Sequence, residues 1–133
     1  MLIPADDEPA VVVELRARLA VPVSTVIPSG SPPKARPAEF VRVVSAGGAQ
    51  RDLVSDAMTV AVEGFAESEA RARRLCAEAV GYLQAAGRDG VLGGEVCYGV
   101  QVFGLPANLP HPLVPDRFRY TATVSVELRR VAL

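Results

Sequence analysis

Tryptophan is absent, histidine occurs once and cysteine twice among 133 residues. With aromatics at only 5%, the core has to be built from Val, Leu and Ala. The single His111 stands between Pro110 and Pro112, without the Asp, Glu or Cys neighbours that would make it a triad member or a zinc ligand. It reads as an exposed loop histidine. Cys76 and Cys97 lack metal-ligand spacing and sit in apolar patterns, so they read as buried free thiols. No apolar run approaches the ~20 residues that a membrane span requires. An excess of charge is missing as well: a formal net charge of −1 excludes broad nucleic-acid binding through a basic surface. The opening stretch MLIPADDEPAVVV lacks the basic start of a signal peptide, so synthesis and assembly in a cytoplasm are expected.

What is present is 50% hydrophobic residues, with 11 Gly and 11 Pro to punctuate them. The length suits one domain, 1–133, able to bury roughly two-thirds of its unfolded surface without disulfides. Residues 6–19 read as a helix: Asp6 caps it, Asp7 and Glu8 suit its positive end, and Val12, Leu15 and Leu19 form a stripe. VSTVI, 23–27, reads as a short strand. PSGSPPKARP, 28–37, reads as a stiff extended loop. Strands follow at 39–45 and 57–65, the latter with Met58, Val60 and Val62 on one face and Thr59, Ala61 and Glu63 on the other. Residues 67–86 carry the clearest helical spacing, through Ala72, Leu75, Cys76, Ala79, Val80 and Leu83, and Gly87 is expected to end that helix. A strand at 95–104 is expected to put Val96, Tyr98, Val100 and Val102 on one face. Residues 117–129 alternate strictly between apolar and polar. The expected class is α+β: a single antiparallel-rich sheet of four to five strands with two helices packed on one face.

Chemistry is sparse. SAGGAQRD lacks the lysine of a phosphate loop and leads into a strand, and GVLGGEV also enters a strand. Gly47 and Gly48 therefore read as a turn that needs unusual backbone angles. Asp6, Asp7 and Glu8 read as helix capping rather than a cation site. Asp52 and Asp56 beside Arg51 are either an acid–base constellation or loop charges that pair across a subunit boundary. Arg71, Arg73 and Arg74 read as a solvated helix edge, with a nucleic-acid or acidic-partner contact as the sharper alternative. No residue is assigned to catalysis, a cofactor or a metal. The expected picture is a scaffold with three projecting segments, 28–37, 46–56 and 105–116, which suits an assembly component better than an enzyme.

Three segments carry a resemblance. VVVELRARLAVPVST, FVRVVSAGGAQRDLVSDAMTVAVEGFAESEARARRLC and GLPANLPHPLVPDRFRYTATVSVELR, in this order and spacing, resemble the tail terminator proteins of long-tailed phages, especially those of actinobacteria. They cover nearly the whole chain. Phe65 stands where the family is expected to carry an aromatic, often Trp. The resemblance implies a non-enzymatic virion protein without cofactors. It would form a homo-oligomeric ring, expected to be hexameric, at the head–tail junction. Such a ring caps the tube of major tail protein, stops its polymerisation and meets the head-side connector or stopper. DNA passes through its lumen without specific binding, and no membrane is involved. The expected subunit or tube contacts are Gly47, Gly48, Arg51, Asp52, Asn108, Leu109, Arg117 and Arg119. The alternatives are another neck or tail-completion ring and, from a different class, a small α+β ligand-binding module with a pocket at Arg51, Asp52 and Tyr98.

Overall fold

The long alternating runs become long strands, and four two-residue pieces that carry no periodicity become short ones. A computed structural model describes residues 1–30 and 35–133; residues 31–34 of the Pro-rich stretch, Lys34 among them, lie outside the described residues. The order is β1 (Leu2–Ile3), α1 (Asp7–Arg18), β2 (Val23–Ser24), β3 (Phe40–Gln50), β4 (Ser55–Ala66), α2 (Glu69–Asp89), β5 (Val91–Leu92), β6 (Glu95–Asn108), β7 (Phe118–Arg129) and β8 (Val131–Ala132).

The sheet differs from the expected single antiparallel-rich one of four to five strands. Six strands lie in the order β2-β3-β4-β7-β6-β5, and β1 and β8 form a second, two-stranded sheet. The larger sheet is mixed, because β2 runs parallel to β3 with Val23 opposite Val41. The short strand read at 23–27 is present as Val23–Ser24; β1, β5 and β8, of two residues each, cannot show an alternation and leave no trace in a pattern of period two. The parallel pairing needs a crossover, and the long Pro-rich connection after β2 supplies it.

Antiparallel β4 and β7 form the centre, paired without a break from Ser55 opposite Arg129 to Ala66 opposite Phe118. Met58, Val60 and Val62 join Val124 and Val126 on one face, and both helices bury their apolar residues there. The opposite face carries Thr59, Ala61, Thr121 and Thr123, which are small and half-exposed.

α2 begins at Ser68, whose Oγ accepts the Arg71 N–H at 3.3 Å. It runs past Gly87 and ends at Gly90, which takes the left-handed conformation at φ +88°. Gly87 has a different task. A Cβ there would lie 2.8 Å from the Val100 nitrogen of β6. Likewise a Cβ on Gly64 of β4 would lie 2.9 Å from the Cys76 nitrogen. The helix thus touches the sheet backbone to backbone at two places. Asp6 occupies the N-cap of α1 but makes no side-chain cap bond; Asp7 and Glu8 instead reach β3, accepting hydrogen bonds from the Ser45 hydroxyl and the Ser45 N–H.

Candidate functional site

The stretch SAGGAQRD is not a turn. β3 continues through it to Gln50 and β4 starts at Ser55, so the turn is only 51–54. Gly47 and Gly48, at φ +84° and +139°, form a bulge inside β3 where the register slips between Ser45 and Gly48. At Gly48 a Cβ would lie 2.2 Å from the Ala57 carbonyl oxygen, so a side chain cannot fit. The result is an arm whose residues 46–54 are all exposed.

The arm's tip is braced from within. Asp52 Oδ1 accepts from the Val54 N–H at 2.9 Å, the Ser55 N–H at 2.8 Å and the Ser55 hydroxyl at 2.8 Å. These bonds, led by that from Val54, hold the Asp52 carboxyl below its ordinary pKa. Arg51 Nε lies 3.6 Å from Glu127 and its guanidinium sits 5.7 Å from the Tyr98 ring centroid. Arg51 and Asp52 are thus engaged within the chain, and Arg51 packs over Tyr98. The residue they present is Leu53, 84% exposed, which no sequence pattern singled out.

The segment 105–116 behaves differently. Val114 is buried with the stacked pair Phe40 and Phe65, whose rings lie 4.5 Å apart, and Ile27 packs against them. His111 is half-buried beside Phe65, not an exposed loop residue. Burial first, then Arg119 and Arg42, push its pKa down. Arg117, its side chain only 10% exposed, donates to the carbonyls of Arg36 and Pro37 at 3.1–3.2 Å. Arg119 donates to the Leu109 carbonyl and pairs with Glu63, which also accepts from Arg42. Glu63 is 3% exposed, and two guanidinium groups neutralise it there. Sequence reading placed Glu63 on the correct face but missed both partners, because they lie on other strands. Asn108 and Leu109 are exposed where β6 ends.

Two sheet margins remain. On one, β5 pairs with β6 only at Glu95 and Val96, and among the described residues no strand pairs with the outer edge of β6 beyond Cys97. The expected single-face set Val96, Tyr98, Val100, Val102 breaks, because a bulge between Cys97 and Gly99 buries Cys97 and turns Val96 and Tyr98 outward. Further along, Phe103 is 70% and Leu105 78% exposed. The other margin is β3 beyond Ser45. An open cavity of about 370 Å³ lies there between the N-terminal segment and the β3–β4 arm. Its ionic groups are already paired: Asp7 with Ser45, and Asp56 with Arg130 at 2.9 Å.

Both cysteines are buried and free, and burial pushes the Cys76 thiol up to about 12. Among the described residues no three His, Cys, Asp or Glu side chains group to hold a metal, and no helix is long and apolar enough to cross a membrane.

No family model matches this chain, and no curated protein matches it. Among solved structures it is similar to a chain from the virion of a native gene transfer agent particle, with a TM-score of 0.60 and 16% identity over 92% of this chain and 93% of the other. At that identity the likeness is one of fold.

Proposed function

We propose that this chain is a structural protein of a phage-like virion and, more finely, a tail terminator: a hexameric ring that caps the tail tube, stops its growth and meets the head-side connector. The observation that carries the coarser reading, a structural protein of a phage-like virion, is the end-to-end fold likeness to a virion chain, over nine-tenths of both molecules. The finer reading rests on the resemblance of the three sequence segments to tail terminators. A ring requires different patches to meet on successive subunits. The braced arm and the two unlike sheet margins are patches of that kind. DNA would pass through the lumen without specific binding, in keeping with a net charge of −1, since phosphate affinity grows with each basic contact. No enzymatic step is assigned to the chain.

The test is electron microscopy of the purified protein mixed with tail tubes from the same particle, with mass photometry alongside. Rings, or caps at one tube end with tubes of fixed length, are expected. A protein that ignores the tubes and stays monomeric overturns the reading. Rings that bind the head side but leave tube length unregulated would instead favour another neck ring.

A further inference from the structure

We infer that successive copies of this chain join margin to margin, with Phe103 and Leu105 of one copy seated in the cavity beside Gly47–Ala49 of the next. This rests on the ring reading above and names the surfaces that would build the ring.

Four observations carry it. First, beyond Cys97 the outer edge of β6 has no strand partner among the described residues, and from Val96 to Asn108 the strand contains no charged residue. Pro106 and the bulges on either side of Gly104 guard this edge against a continuous strand ladder, so what it offers a partner is side chains rather than backbone. Second, two large apolar side chains on that strand, Phe103 and Leu105, are 70% and 78% exposed. Third, the opposite margin is their inverse. The sequence Ala46-Gly47-Gly48-Ala49 has no bulk to obstruct an incoming side chain, and the adjoining cavity is floored by Ala57 and Met58. Its volume of about 370 Å³ exceeds the ~150 Å³ that accommodates a benzene ring in a protein interior. The charged side chains around it are paired within the chain, Asp7 with Ser45 and Asp56 with Arg130, so an apolar guest would leave them their partners. Fourth, β3 and β6 are separated by β4 and β7, which sets the two patches roughly 14 Å apart across the sheet. Distinct patches on opposite margins generate head-to-tail contacts, which close into a ring or propagate.

The experiment uses two full-length variants. Phe103→Asp spoils the knob, and Ala49→Glu spoils the hole. Both positions are exposed, so each variant should fold with unchanged circular dichroism. Native mass spectrometry and electron microscopy with tail tubes follow. Wild type should form rings, and each variant alone should self-associate about thirtyfold more weakly or worse, as for loss of a central anchor. Mixed together, the variants should give a discrete dimer and nothing larger, because one intact knob meets one intact hole. Wild-type rings with both variants also forming rings would overturn this contact and leave the ring reading standing. Wild type that never assembles, alone or on tubes, would overturn both.

Discussion

Two segments that look alike in the sequence fold in opposite ways. Residues 46–54 and 109–117 are both rich in the residues of irregular connections. The first stands out from the sheet as an arm, with nothing of it buried. The second is tied down by one apolar side chain, Val114, and one cation, Arg117. What separates them is whether the segment carries something the core can use. Val114 completes an apolar cluster with Phe40 and Phe65, and the carbonyls at 36 and 37 need the donors that Arg117 supplies. The arm has no such residue, so it spends its hydrogen bonds on itself and leaves Leu53 outside.

The contrast can be broken hardest at Phe65. Phe65→Ala should cost about 3–5 kcal/mol in urea unfolding, because the side chain is fully buried. It should also free 109–117, read as faster amide exchange there than in the arm. An unchanged midpoint would mean that the second cluster contributes nothing. Arg117→Ala comes next, at about 1–3 kcal/mol, since it leaves part-buried carbonyls without a donor. Arg51→Glu should cost less than about 1 kcal/mol, as expected for an exposed pair, yet turn an attraction to Glu127 into repulsion. Its signature is faster amide exchange at 51–55 with the rest of the chain unchanged; loss of global stability would contradict the picture of a self-contained arm.

The smallest effect is the response to pH. The folded pKa of His111 lies below its ordinary value of 6.5, so its contribution is complete above that value and fades as pH falls towards the folded pKa. Asp52 is likewise depressed, from 3.8, so the arm's turn keeps its bonds until the medium is more acid still. Amide exchange followed from pH 7 downward should therefore show 109–117 loosening before 51–55, and the reverse order would contradict these shifts.

How much of this was legible follows from the range of the interactions. α2 and β7 were plain because six apolar residues at helical spacing and twelve alternating residues need no partner to be recognised. β2 was legible as part of the run 23–27, but β1 and β8 were not, because each owes its existence to a neighbour far along the chain, as Leu2 does to Ala132, and β5 is only two residues long. The same holds at the candidate site. The glycine pair could be recognised as a backbone demand, but not that the demand is a bulge against Ala57. Arg117 and Arg119 were expected at a subunit or tube contact, and their partners within the chain went unseen, since nothing in an alternating strand announces a carbonyl or a carboxylate waiting across the fold.

The close approach of α2 to the sheet has a mechanical consequence. At Gly64 and Gly87 no layer of side chains lies between helix and strand to act as a lubricant. The helix cannot roll or slide over the sheet there without collision. It therefore works as a stiff lever pinned to β4 near one end and β6 near the other, and a load applied at the outer strand is delivered to the middle of the sheet rather than absorbed at its rim.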